Sequence, residues 1–159
     1  MAEITEGRGY WHRQFGRFHY GFYAMAVVFA VVLLFHRDLV SRYPWLVVLP
    51  LGSLVRALAF HHMTVADAGD HLSLRYGPMS VPWFRRRIPY GTIESVAPER
   101  SSIWDGWGVH FVPWPGRRGM MYNLWGRGCV KVVAGGKTVR IGTDDPSGLS
   151  AFLKTKMTN

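Results

Sequence analysis

Hydrophobic and polar positions along this chain fall into two regimes, the second beginning at about Ala68. In the first, the fifteen residues from Gly21 to Phe35 run without a charge and carry apolar side chains on every side, so no 3.6-residue stripe exists. At about 1.5 Å per residue the run covers about 22 Å of a hydrocarbon layer roughly 30 Å thick. Phe18, His19 and Tyr20 before it and His36 after it extend it into the interfacial belt, where aromatic rings and polar tips are tolerated. The pattern predicts a transmembrane helix from Phe18 to His36. A second run, Pro44 to Phe60, is broken by Pro50, Gly52 and Ser53 and holds Arg56, which near a helix end can snorkel to the headgroups. Tyr43 and Trp45 open it, and the short Arg37 to Tyr43 connection forces an antiparallel arrangement. The expectation is a two-helix transmembrane hairpin over residues 18–60.

In the second regime, alternation replaces continuous hydrophobicity and turn residues punctuate it, the pattern of antiparallel sheet. Strands are expected at Leu72 to Tyr76, Met79 to Ile88, Ile93 to Ala97, Gly108 to Val112, Met120 to Leu124, Cys129 to Ala134 and Lys137 to Gly142. Gly135-Gly136 supplies the positive φ values of a two-residue hairpin loop. A helix follows: Asp145 caps it, Pro146 suits its first turn, and Leu149, Phe152, Leu153 and Met157 recur on one face.

Seven strands and a closing helix resemble a pleckstrin-homology barrel. The stretches Arg87-Ile-Pro-Tyr-Gly-Thr-Ile-Glu-Ser-Val96, Trp107-Gly-Val109 and Val139-Arg-Ile-Gly-Thr-Asp-Asp-Pro146, with Leu149 and Leu153 beyond, are similar to the bacterial PH-domain membrane proteins of unknown function. The resemblance implies a helical hairpin followed by a cytoplasmic PH-like domain, here an α+β membrane protein with a seven-stranded antiparallel β-barrel over residues 64–157. It implies no catalytic residues. The insertion Pro113-Trp-Pro-Gly-Arg-Arg-Gly119 departs from simpler members.

Charge sets the orientation. The 159 residues hold 19 Lys or Arg against 10 Asp or Glu, a net +9, of which +3 falls in residues 1–60 and +6 beyond. The tail (1–17) carries Arg8, Arg13 and Arg17, and the segment after the hairpin carries Arg75 and Arg85 to Arg87, whereas the connecting loop holds Arg37 and Arg42. Cytoplasmic segments keep the cations. Both termini are therefore expected inside, in a multi-pass protein of a bacterial inner (cytoplasmic) membrane. A run that starts twenty residues in, followed by another, argues against a cleaved signal peptide.

Candidate chemistry is sparse. Trp83, Phe84 and Arg85-Arg86-Arg87 lie near the membrane, with Arg85 and Arg87 on one face of an extended strand and Arg86 on the other. Trp114, Arg117 and Arg118 sit together on a Pro/Gly turn, a composition that suits a partner hot spot or an interfacial anchor. Trp104, Trp107 and Trp125 are expected to pack the barrel. His61 and His62 are adjacent and point about 100° apart on a helix, which argues against a metal site. The lone Cys129 reads as an inert core thiol, and Asp144-Asp145 as turn and cap residues. No glycine-rich phosphate loop is present, and no basic recognition helix supports nucleic-acid binding. These residues point to a non-catalytic, membrane-anchored interaction or assembly module without cofactor, an accessory subunit docking on another membrane protein. The alternative is a binder of anionic lipid headgroups, which requires Arg85, Arg87, Arg117 and Arg118 to converge.

Overall fold

The computed structural model describes residues 9–78 and 85–158. Those residues form an α+β fold with two antiparallel-rich sheets and four α-helices. The first sheet has the order β1-β2-β3-β4, built from Trp11–Phe15, His62–Asp67, His71–Tyr76 and Arg86–Pro89. Alternation decides its faces: Met63, Val65, Leu72, Leu74, Tyr76 and Ile88 turn inward and are buried. The second sheet has the order β5-β8-β9-β7-β6, from Ile93–Arg100, Gly108–Val112 (β6), Gly119–Asn123 (β7), Gly128–Ala134 (β8) and Lys137–Gly142 (β9). Its inward residues Tyr122, Val130, Val132, Val139 and Ile141 share one core with those of the first sheet.

Helix α4 (Pro146–Met157) closes this core against β5 and β8 with Leu149 and Leu153, both fully buried. It begins as its sequence dictates: the Asp145 side chain accepts the Gly148 N–H at 3.0 Å, and Pro146 occupies the first turn. Phe152 stacks on Tyr10 at 5.3 Å. The hairpin between β8 and β9 turns on Gly135 (φ 54°) and Gly136 (φ 69°), the two positive values that a tight loop of this hand needs.

The expected closed seven-stranded barrel is not what forms. Among the described residues nine strands divide between two sheets, with β1 and β4 at the edges of the first and β5 and β6 at the edges of the second. Two strands were absent from the expectation, β1 in the basic tail and β2 directly after the apolar runs. The physical reason for the open second sheet is its topology: the β6–β7 hairpin docks β7 parallel to β9, in the register Met120↔Val139 to Tyr122↔Ile141. Alternation shows that a segment is a strand but not which neighbour it takes. Of the strand expected over Met79 to Ile88, β4 covers the end, and residues 79–84 lie outside the described residues.

The membrane hairpin is corrected as well. One helix among the described residues, α1 (Phe18–Phe35), is long and apolar enough to cross a membrane. The second run breaks into a short helix α2 (Arg37–Arg42), a four-residue 3-10 turn (Pro44–Val47) and the twelve-residue helix α3 (Val48–Ala59). Pro44 forces Tyr43 out of helical backbone, which starts this run late and leaves it shorter than a span. Helices α1 and α3 pack along each other. On α1 the half-buried stripe is Phe22, Ala26, Phe29 and Leu33; on α3 it includes the buried Ser53 and Ala57, small residues that let helices approach closely. Elsewhere α1 is bare: Tyr20, Val27, Val28, Leu34 and Phe35 are all more than half exposed.

Strand β1 ties this excursion to the domain. Phe15 pairs with His62 and the Gly16 N–H reaches His61 O at 3.3 Å, so the chain leaves and rejoins the first sheet at neighbouring points.

Candidate functional site

The outward face of the second sheet is covered rather than open. Arg140, outward on β9, is only 1% exposed; its Nε donates to Glu99 Oε2 at 2.8 Å and its Nη1 to the Arg117 carbonyl at 2.5 Å. Arg117 in turn pairs with Asp105 Oδ2 at 2.8 Å and donates to the Arg100 carbonyl at 3.1 Å. Asp105, buried, also accepts the Ser102 N–H at 2.6 Å. The Ser101 to Trp107 segment and the β6–β7 hairpin are thus clamped down over β5, β8 and β9. Cys129 lies beneath them, fully buried, and its thiol is pushed up to about 11, first by burial and then by the charge of Glu99.

This arrangement places Arg117 differently from the sequence expectation. Its guanidinium turns inward because a buried carboxylate, Asp105, claims it, and a buried charge left without a partner is costly. Trp114 stays at the surface. The Arg117 N–H donates to the Trp114 carbonyl at 3.0 Å across Pro115 and Gly116 (φ 74°), the residues a type II turn demands at its two central positions. Trp114 (54% exposed) and Trp104 (86% exposed) flank a groove of about 380 Å³ that Ser102, Asp105 and Arg117 complete. Arg118 does not enter that groove: its guanidinium sits 5.8 Å from the ring of Phe111.

The other sequence candidates lie elsewhere. Trp83 falls outside the described residues. Arg85 precedes β4; Arg86 shares the inward side with Ile88, and Arg87 points outward and is exposed. Arg87 therefore sits on the outer face of the first sheet and Arg117 over the outer face of the second. The four arginines do not converge, so they form no common headgroup pocket.

Aromatic and histidine rings gather instead where α1 leaves the domain. Phe18 lies 5.1 Å from Trp107 and 5.0 Å from Trp125, which stack on each other at 6.3 Å, and Arg17 lies 5.9 Å over Trp125. His19 lies 4.7 Å from His61, whose Nδ1 is 3.1 Å from Nδ1 of His62. Burial, then the charge of Arg13 and the neighbouring His61, lowers the pKa of His62. Trp107 and Trp125 form this collar rather than barrel core. Among the described residues no group of three His, Cys, Asp or Glu side chains is placed to hold a metal ion.

Comparison of the chain with protein-family models, curated proteins and solved structures finds no match. The reading of the site therefore stands on its geometry. Sequence reasoning missed Trp104, Glu99, Asp105 and Arg140. One signal was available for the last: an arginine in the middle of the apolar strand Val139-Arg-Ile141 needs a partner, and Glu99 and Asp105 are the carboxylates closest in sequence to the insertion that covers it.

Proposed function

We propose that this chain is a membrane-anchored, non-catalytic interaction module, an accessory subunit that docks on another membrane protein through the Trp104–Trp114 groove. The observation that carries this reading is the exposure of two tryptophans on either side of one groove, on segments held by the Asp105–Arg117 pair. Rigidly mounted tryptophans lose little freedom on binding, and Trp is enriched at interface hot spots. The charged side chains under the groove are tied to one another, Arg117 to Asp105 and Arg140 to Glu99, which suits a structural framework rather than a reaction centre.

The anchor is α1. Contiguous exposed apolar surface on this scale is not sustained in water, and a bilayer covers it without a further partner. The pairing of Phe15 with His62 supports both termini lying with the domain on one side of the membrane. The excess of cations on that domain supports the cytoplasmic side of a bacterial inner membrane.

The test uses the full chain in its membrane with a photo-crosslinking residue at position 104 or 114. One discrete protein adduct is expected from each, none from the exposed Ser147 position on α4, and at least about tenfold less adduct at 104 when Trp114→Ala is added. Adducts of equal yield at 104 and 147, or adducts with lipid alone, reject the reading.

A further inference from the structure

A groove of about 750 Å³ opens at the root of α1, between the ends of β1 and β5 and the connections β7–β8 and β9–α4. Three guanidinium groups line it: Arg17, immediately before α1, Arg100, the last residue of β5, and Arg127, just before β8. All three are exposed, and among the described residues none lies within ion-pair distance of a carboxylate. The two carboxylates at the groove are already engaged, Glu99 with Arg140 and Asp144 with His12. The groove is therefore cationic in effect and wants an anion.

A second feature points to the rest of the ligand. Gln14 lines the same groove and is 5% exposed; its Nε2 donates to the Trp125 carbonyl at 2.8 Å, while its Oε1 is buried without a hydrogen-bond partner. A buried amide oxygen calls for a donor. Guanidinium groups without a carboxylate partner suit a phosphate, Arg127 spending only its Nε on the Ser101 carbonyl at 3.4 Å, and the amide oxygen suits a hydroxyl, so a phosphodiester that carries free hydroxyls satisfies both. The location fits a lipid. Arg17 abuts Phe18, the first residue of α1, and Trp125 touches Phe18, which sets the groove at the level where α1 would meet the headgroups.

We propose that this groove binds the headgroup of an anionic phospholipid with free hydroxyls, a glycerol phosphodiester being the simplest, taken from the leaflet beside the domain. The proposal rests on the reading of α1 as a membrane anchor, and it concerns a different surface from the tryptophan groove. Its polar chemistry is shared by soluble glycerophosphodiesters, which lack only the acyl chains.

The test is a titration of the full chain in neutral detergent, with bound ligand counted by native mass spectrometry. The probes are phosphatidylglycerol, phosphatidylmethanol (the same charge without hydroxyls), phosphatidylcholine and soluble glycerophosphoglycerol. Phosphatidylglycerol should bind at least about tenfold tighter than phosphatidylcholine and about fivefold tighter than phosphatidylmethanol. The double variant Arg100→Gln/Arg127→Gln should lose about tenfold in affinity for phosphatidylglycerol, with its circular dichroism unchanged. Gln14→Met should level phosphatidylglycerol with phosphatidylmethanol; if that variant does not fold, the comparison of the two lipids on the unaltered chain decides the point. Equal binding of phosphatidylglycerol and phosphatidylcholine, no hydroxyl preference, or unchanged affinity in the double variant overturns the proposal. Glycerophosphoglycerol binding as tightly as the lipid overturns the lipid source. Resistance of the same protein to alkaline extraction from membranes is scored separately, so that loss of headgroup selectivity with retained insertion rejects this groove alone, and loss of insertion rejects the anchor.

Discussion

Strand β1 is the least expected part of the domain, and its removal gives a decisive measurement. Phe15 and His62 are paired neighbours, and antiparallel partners stand about 4.5–5.5 Å apart at Cα. A two-residue Asn-Gly turn therefore suffices to join Gly16 to His61 and delete the helical excursion. Two chains are compared: residues 9–16 so joined to 61–158, and residues 61–158 alone. The shorter one loses the burial of Tyr10, worth about 1.5–3 kcal/mol, and its stacking on Phe152, worth about 0.5–1.5 kcal/mol. It also loses the Gln14 to Trp125 and Asp67 to Tyr10 hydrogen bonds, about 1 kcal/mol each. Loss of the β1–β2 ladder adds about 1 kcal/mol per hydrogen bond, and release of the strand's backbone order, about 1–2 kcal/mol per residue, offsets most of the total, leaving a net loss of about 3 kcal/mol. Against the roughly 5–15 kcal/mol of an ordinary domain that is a large fraction. In urea, with a slope of about 1–3 kcal/mol per molar, the midpoint should fall by about 1–3 M. The joined chain should be soluble and unfold cooperatively. Midpoints agreeing within about 0.3 M would refute the placement of β1, and an insoluble joined chain would refute the confinement of the apolar surface to the excursion.

Two further outcomes are expected from the same soluble chain. Burial alone would raise the Asp67 carboxyl, but Lys156 at 2.9 Å, the Tyr90 hydroxyl at 2.8 Å and the Gly69 N–H at 2.8 Å outweigh it and hold the pKa below the usual range. A lowered folded pKa gives stability that is present above the unfolded value of about 3.9 and lost as pH falls through the folded one. Asp67→Asn should therefore cost about 1–3 kcal/mol at pH 7 and progressively less toward pH 2, read from urea midpoints; a pH-independent difference would show that the charge is irrelevant. Asp105→Ala should remove the closest ion pair of Arg117, cost about 2 kcal/mol, and raise the native labelling rate of Cys129 by at least about tenfold, because the hairpin over it is left with only the Arg100 carbonyl and the more distant Glu99 to hold Arg117. A destabilised variant with an unchanged labelling rate would sink the clamp.

Local signals in the sequence were faithful where one residue decides one geometry. Asp145 and Pro146 start α4, the paired glycines turn β8 into β9, and Gly108 to Val112 and Lys137 to Gly142 are strands with those bounds. Pairing was not legible, because the parallel docking of β7 on β9 depends on the fit of the whole sheet. The strand Trp11-His-Arg-Gln-Phe15 reads as a basic tail for a different reason: its inward position is Gln14, a polar residue buried only because Trp125, over a hundred residues away, accepts its N–H. Trp104 was misjudged on composition. A tryptophan is usually covered, and nothing local tells that the 3-10 turn bearing it faces outward.

The covered outer face of the second sheet and the root of α1 are linked through one short stretch of chain. Glu99 and Arg100 end β5: Glu99 holds Arg140, the Arg100 carbonyl receives Arg117, and the same two residues line the groove beside Arg17. On the other side, Gly16 sits so close to the domain that a Cβ there would lie 2.9 Å from Leu124 and 3.0 Å from the Phe60 carbonyl. A side chain at this point would push the helices away from the sheet. The joint between domain and excursion is thus held by backbone packing as well as by β1–β2 pairing, which opposes a freely swinging tether on steric grounds. With the joint fixed, the tryptophan groove and the arginine groove keep constant positions relative to α1. In the membrane-anchored reading each then faces one class of neighbour: the groove of Arg17, Arg100 and Arg127 faces the headgroups, and the groove of Trp104 and Trp114 is left for a protein.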